Sequence, residues 1–380
     1  MMTFELTQDQ LMIQELVRNF TSTDLAPIAA ELDLTARFPA EIFASLTEMG
    51  MMGINIPAAY GGAELDGICK ILAIEELAKG CASTAEIFVV HTTVSEVILR
   101  HGNEAQKEKY LTAAASGKLG AFALTEPGAG SDAGAVKTRA DSDGDDYIIN
   151  GTKCFISNMG PHEGDYIIVM ALTQPEKGLK GMSAIIVDRA TPGFSLGKTE
   201  DKMGLRAASV SEVIFQDCRV PKSNLLGNEG DGFKIAMAGL DSGRIGMATQ
   251  ALGLSEAAIE ASITYMKARV QFGKPIAVLQ GLQWYIADMA TRTEAARGLI
   301  FAACDAVARG LPATKLAAQA KYYASENAVW VTNKALQIHG GYGYMRDYPI
   351  ERMYRDARII PIYDGTSEIQ RGIIAREVMK

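Results

Sequence analysis

The stretch that decides the fold reads AFALTEPGAGSDA at 121–133 and, after a polar interval, DYIINGTKCFIS at 146–157. Gly128, Gly130 and Ala133 fit the G-x-G-x-x-A pattern of a dinucleotide-binding loop. That loop must open a helix. Here the next readable element is another β-rich run, ending at Asn150-Gly151, so a Rossmann unit is excluded. Asn-Gly between two such runs predicts a two-residue hairpin, and a two-residue turn joins only antiparallel strands. What remains of the loop is a Gly-rich turn leaving a strand, with Thr125 and Ser131 as hydroxyl donors and backbone N–H groups able to cradle a phosphate.

Outward from this point the β character persists. Tyr166–Leu172, Ser183–Asp188 and Val210–Gln216 are short and rich in β-branched or aromatic residues, and Asp143-Gly144 and Pro192-Gly193 supply turns. On either side the periodicity is helical. Thr7 and Gln10 have capping-box spacing ahead of Leu11, Ile13, Leu16, Val17 and Phe20. Further helices are expected at 67–79, 85–100 and 106–115, then at 233–268, 282–309, 313–338 and 367–377. Helices, an antiparallel β block and helices again define an α+β protein. Its expected divisions are a helical domain at 1–119, a β domain at 120–229 and a helical domain at 230–380.

The 380 residues carry 37 basic and 45 acidic side chains, a net charge of −8. A protein-wide field for nucleic acid is not expected from that balance. The five Cys and four His show neither CxxC nor HxxxH spacing, so no metal site is expected. The opening MMTFELTQDQ shows neither the basic nor the apolar region of a leader, and no apolar run reaches the ~18 residues of a membrane span. The expectation is a soluble, cytoplasmic protein.

Individually the remaining motifs have plain readings. Thr366 can be a helix N-cap, and Gly340 and Gly341 follow a helix end, where Gly is common. Together, ALTEPGAGSD at 123–132, FISN at 155–158, MGLR at 203–206, RVQFGKP at 269–275, QIHGGYG at 337–343 and IYDGTSEIQ at 362–370 resemble the acyl-CoA dehydrogenase family over essentially the whole chain. The resemblance implies an N-terminal helical domain, a middle antiparallel β domain and a C-terminal four-helix bundle, assembled as a homotetramer.

It also implies FAD. Phe122, Leu124, Thr125, Gly130 and Ser131 would lie along the flavin and pyrophosphate. Phe155 and Ser157 match an aromatic-x-hydroxyl pair beside the isoalloxazine, where Trp-x-Thr is commoner. Arg269, Phe272, Gln280, Gln337, Gly340 and Gly341 would hold the adenosine end across a subunit boundary, and Thr366 and Glu368 would close the site. Asp241 and Arg244 match the contacts to the pantetheine and nucleotide of an acyl-CoA substrate, with Ser131, Tyr363 and Gly365 also on the substrate side. The bland reading of Asp241 and Arg244 is a helical ion pair.

In the family, a Glu in Ile-Tyr-Glu-Gly-Thr removes the substrate α-proton while the β-hydrogen passes as hydride to flavin N5, the thioester carbonyl being held by a backbone N–H and a ribityl hydroxyl. This chain has Asp364. The family's other base position is Gly243, which has no side chain, so Asp364 is the expected base. Asp for Glu together with Gly243 reads as extra room for a branched or alicyclic acyl group, as in the cyclohexanecarboxyl-CoA type. An electron-transferring flavoprotein is the implied acceptor. The rival readings are an enoyl-CoA reductase, a nitroalkane-oxidase-like enzyme, against which Asp241 and Arg244 argue, and a non-catalytic FAD-binding protein.

Overall fold

The computed structural model describes residues 5–380; Met1–Phe4, at the head of the stretch read as carrying no leader, lie outside the described residues. Among the described residues six α-helices come first: α1 Gln8–Phe20, α2 Ala29–Thr35, α3 Ala40–Glu48, α4 Gly67–Gly80, α5 Ala82–His101 and α6 Glu104–Ala115. The Thr7/Gln10 capping box forms as the spacing predicts, and Asn103 with Gln106 builds a second at the start of α6.

The strands follow: β1 Gly120–Ala123, β2 Arg139–Asp143, β3 Asp146–Ser157, β4 Tyr166–Leu172, β5 Met182–Asp188, β6 Phe194–Thr199, β7 Val210–Pro221 and β8 Leu225–Leu226. They form one sheet in the order β6-β7-β3-β2-β4-β5-β8, with β1 also paired to β4. The sheet is mixed rather than antiparallel throughout, because β1 runs parallel to β4 and β2 meets β4 in parallel at Arg139 and Leu172.

The hairpin expected at Asn150-Gly151 does not form. The turn falls one step earlier, where Asp143 pairs with Asp146 across Gly144 at φ +58°. β3 runs straight through Asn150-Gly151, and its register against β7 slips there. The slip is a bulge: Asn150 exchanges hydrogen bonds with the Asp217 backbone and carboxylate, at 2.8 and 3.1 Å. Glycine is required because a Cβ at 151 would lie 2.4 Å from Thr138 Oγ1. A dipeptide that favours turns also favours a bulge, and the partner strand decides which forms.

Successive residues of β4 face opposite ways. Tyr166, Ile168 and Met170 pack toward α5, α6 and the start of the next helix, while Ile167, Val169 and Ala171 join Ile149, Val213 and Phe215 in a second core within the curled sheet.

The last part contains α7 Gly232–Ala268, a small ribbon of β9 Val270–Gln271 and β10 Lys274–Pro275, then α8 Gln280–Ala308, α9 Thr314–His339, α10 Ile350–Ala357 and α11 Ser367–Val378. Gly239, Gly243, Gly246 and Gly253 fall on one face of α7. Cβ atoms there would lie 2.8 Å from Val97, 3.0 Å from Asp364, 2.6 Å from Val89 and 2.3 Å from the Glu75 carbonyl oxygen. The stripe lets α4, α5 and the loop before α11 close directly on the α7 backbone. α5 is long and apolar enough to cross a membrane by length and composition, contrary to the sequence expectation, but 78% of that window is buried inside the protein. It is a core helix.

Helix propensity alone would favour Gly253→Ala by up to ~1 kcal/mol. The 2.3 Å approach to Glu75 reverses the sign, and the variant is expected to lose roughly 1–3 kcal/mol in denaturant unfolding through overpacking. A stabilised variant would mean that α4 and α7 are not in contact there.

Candidate functional site

Asp364 lies in the loop between α10 and α11, in the left-handed backbone region at φ +50°, followed by Gly365 at φ +90°. Asp accepts this conformation better than most side chains, and the surroundings fix it. Gln370 Nε2 donates to the carbonyls of Asp364 and Gly365 at 3.2 and 2.9 Å. Lys321 Nζ, from α9, donates to the Gly365 carbonyl at 2.7 Å. Thr366 caps α11 by accepting from the Ile369 N–H at 3.3 Å, the plain role its position suggests, and Glu368 is exposed on the first turn beyond it. Tyr363 donates its hydroxyl to Gln250 of α7.

Burial pushes the Asp364 carboxyl above the usual carboxylate range, while Lys321 and Arg244 oppose the shift. Lys321 is fully buried, and burial lowers its ammonium to about 8 against the pull of Asp364. The carboxylate sits against Gly243: a Cβ built there would be 3.0 Å from Asp364 Oδ2. The space expected to be free above Gly243 is therefore filled by the Asp364 carboxylate itself, and the two small residues form one contact rather than a widened cavity.

Asp241 and Arg244 do form the helical ion pair, Nη1 to Oδ1 at 2.6 Å, and Thr314 donates to the other Asp241 oxygen at 2.6 Å. Arg244 is only 4% exposed, and its Nε has no partner among the described residues. Its Nη2 lies 3.8 Å from the position of a Cβ at Gly365. The guanidinium is thus buried beside the Asp364–Gly365 loop.

A second group of expected residues lies at the end of β1 and in the turn that follows it. After β1, Glu126 and Ala129 bond one another at 3.0 and 3.1 Å, making a tight turn. The Glu126 carboxylate accepts from the Lys137 and Thr138 N–H groups at 2.7 and 2.9 Å and from buried Lys153 at 2.8 Å. Lys153 also donates to the Leu124 carbonyl at 3.0 Å, and its burial lowers it to about 8. The turn is thereby held rigid, with Gly128 open and Gly130 and Ser131 exposed at its tip and Phe122, Leu124 and Thr125 at its base.

Phe155 is 65% exposed at φ +57° on the end of β3. A large exposed apolar ring beside hydroxyls and a rigid turn with open N–H groups suits a planar, phosphate-bearing cofactor. Ser157 is not a free donor as expected: its Oγ donates to Glu86 Oε1 at 2.7 Å.

The remaining expected residues lie elsewhere. Arg269 follows α7, 26 residues beyond Gly243, or about 39 Å along a continuous helix. It stacks over Tyr342, 5.3 Å from the ring centre, next to Gly340 and Gly341 at the end of α9. Phe272, at the tip of the β9–β10 ribbon, is 94% exposed, and Gln280 and Gln337 are exposed at helix ends. One dinucleotide within one subunit cannot touch both this group and Asp364.

Sequence reasoning missed Glu86 and Lys321. Glu86 on α5 is 3% exposed, and burial pushes it up to about 7, with Asp364 adding to the shift and Ser157 and Lys202 opposing it. Each is a charge inside an apolar run, STAEIFVV and LAAQAKYYA; that was the available signal. Among the described residues no group of His, Cys, Asp and Glu could hold a metal ion, and all five cysteines are free.

A carboxylate on a left-handed loop residue packed against Gly243, together with a rigid Gly-rich turn at the end of the sheet, supplies the parts of a flavoenzyme site. The family sequence models agree: those for the acyl-CoA dehydrogenase N-terminal, middle and C-terminal domains match residues 7–118, 121–218 and 230–379. The chain belongs to the acyl-CoA dehydrogenase family and is an FAD-dependent oxidoreductase acting on acyl-CoA. It is 55% identical over 382 residues to an acryloyl-CoA reductase (NADH) of Anaerotignum propionicum, covering 100% of this chain and 96% of the relative. Butyryl-CoA dehydrogenase from Megasphaera elsdenii superposes with TM-score 0.97 at 43% identity, covering 100% of both chains. A chain solved in a study of the electron transferring flavoprotein of Acidaminococcus fermentans superposes with TM-score 0.98 at 46% identity, again covering 100% of both.

Glu86 keeps its proton to higher pH in the folded protein than in the unfolded chain, where the ordinary value of 4.5 applies. Its contribution is neutral below that value and becomes destabilising as pH rises toward 7. Glu86→Gln should therefore gain stability over wild type as pH rises from 4.5 to 7.5, by on the order of 2 kcal/mol at the upper end, since each tenfold change in proton affinity is worth ~1.4 kcal/mol. Paired melting curves across that range check it; a gap independent of pH contradicts it.

Proposed function

We propose that the chain interconverts a short saturated acyl-CoA thioester and its α,β-unsaturated partner, with Asp364 carrying the α-proton. The observation that carries this reading is the Asp364 carboxylate lodged on Gly243 with Lys321 and Arg244 beside it. A general base works best with a pKa near the operating pH. Burial supplies the upward push, and the two cations keep the ionised form attainable. The Asp364 backbone N–H is the chain's candidate donor to a thioester carbonyl, where charge develops as the proton leaves.

The cofactor would lie between the sheet and the helices, along Phe122, Leu124, Thr125, Gly130 and Ser131, with Phe155 against its ring and Thr366 and Glu368 at the closing loop. Bound FAD supplies the two-electron chemistry. Arg269, Phe272, Gln280, Gln337, Gly340 and Gly341 would serve the cofactor of a second copy, which their distance along α7 favours and which fits a homotetramer. Asp241 and Arg244 would hold the pantetheine end of the substrate, with Ser131, Tyr363 and Gly365 around it.

The short acyl group is supported by the butyryl-CoA dehydrogenase and acryloyl-CoA reductase likenesses. An alicyclic substrate loses its support once Asp364 fills the space above Gly243. The reductive direction draws on the 55% identity to an acryloyl-CoA reductase; a carboxyl with a raised pKa can deliver the proton as readily as remove it. An electron-transferring flavoprotein is the partner we favour, from the likeness to the chain solved in the study of that protein in Acidaminococcus fermentans.

Asp364→Asn is expected to bind the thioester and lose flavin reduction in anaerobic titration; retained reduction would move the base elsewhere. Arg244→Ala should weaken thioester binding about ten- to a hundredfold, as for a buried charge-assisted contact of ~1.5–3 kcal/mol, with flavin content unchanged. Lys321→Met removes a cation that favours the ionised carboxylate, so the acid limb of the oxidative rate–pH profile should move to higher pH. An unmoved limb would separate Lys321 from Asp364.

A further inference from the structure

Glu86 has no use in the reaction described above, yet it faces the same interior. It extends from α5, Ser157 ends β3 and Asp364 precedes α11; burial first, then Glu86 and Asp364 together, raises the Tyr363 hydroxyl well above its ordinary value. Among the described residues Ser157 is the hydrogen-bond partner of Glu86, through Oε1, and no cation lies within ion-pairing distance. Lys202 reaches it only through the longer-range field. The cations near Asp364 are already engaged, Lys321 on the Gly365 carbonyl and Arg244 on Asp241. An unpaired buried carboxylate costs several kcal/mol, and a hydrocarbon tail placed against it would remove water without replacing it. A ligand that brings its own cation removes that cost and pairs the free oxygen Oε2.

We propose that Glu86 is a specificity-determining residue that selects short acyl-CoA thioesters whose acyl chain ends in an ammonium group. This rests on the acyl-CoA reading of the cleft. The carboxylate would accept from the ammonium while Ser157 holds its other oxygen, fixing the end of the chain remote from the thioester. Asp364 would remain the group at the α-carbon.

The test uses the FAD-loaded protein with two thioesters of equal heavy-atom count, 5-aminopentanoyl-CoA and hexanoyl-CoA, measured by calorimetric binding, with butyryl-CoA as the control for flavin bleaching. The wild type is expected to bind the amino thioester at least tenfold more tightly than its hydrocarbon counterpart. Glu86→Gln should erase most of that ratio, and Glu86→Leu should reverse it, both retaining flavin. Equal binding in the wild type, a preference for hexanoyl-CoA, or a ratio unchanged by Glu86→Gln overturns the proposal. Bleaching by butyryl-CoA reports separately on the dehydrogenase reading: its failure would sink that reading, while the binding ratio would still decide the role of Glu86.

Discussion

The close approach of other elements to the bare backbone of α7 is the constraint on which the rest of the structure depends. Four glycines on one face, at 239, 243, 246 and 253, let Val97, Asp364, Val89 and the Glu75 carbonyl come within contact of the helix backbone. Side chains at those positions would hold α4, α5 and the loop before α11 outward by the width of a methyl group or more. Gln250 lies on the same face and bonds both the Ala82 carbonyl and the Tyr363 hydroxyl, tying α5 to the Asp364 loop through α7. The contact that brings α5 onto α7 also places Glu86, bonded to Ser157, within the electrostatic reach of Asp364.

Charge inside this protein is arranged in unequal groups. Lys153 is matched by Glu126, and the pair is spent on fixing the Gly-rich turn. Asp364 is flanked by two cations that are themselves anchored, so its carboxylate feels them without forming a direct ion pair. Among the described residues Glu86 has only the Ser157 hydroxyl. A buried charge is tolerable in proportion to its partners, and these three groups differ in how fully they are partnered. The neutral amide of Gln370 and the ammonium of Lys321 converge on the carbonyls of residues 364 and 365, so the left-handed backbone there is held by bonds from two helices.

The length of α7 adds a further consequence. A continuous helix of 37 residues keeps Arg269 far from Gly243, so the motif residues divide into an inner set at the cleft and an outer, exposed set at the far end of the bundle. The proposed sharing of a dinucleotide site between copies rests on this separation.

Much of the protein was legible in its sequence. The capping spacing of Thr7 and Gln10, the long helices after Gly230, the N-cap at Thr366 and the exclusion of a Rossmann unit are local matters, set by hydrogen bonds within a few residues, and each formed as read. Asp364 was singled out because it departs from a motif. Tertiary structure alone decided that Asn150-Gly151 is a bulge, since the choice rests on Asp217 some 67 residues away, and that β1 joins β4 in parallel, since a strand's partner is not encoded in its own alternation. It alone decided that Gly243 is filled by Asp364 rather than left open. Glu86 and Lys321 were single charges in apolar helices, which sequence reads as interruptions. Their meaning came from what stood opposite them, because the energy of a buried charge is set by its partners in space and not by its neighbours in the chain.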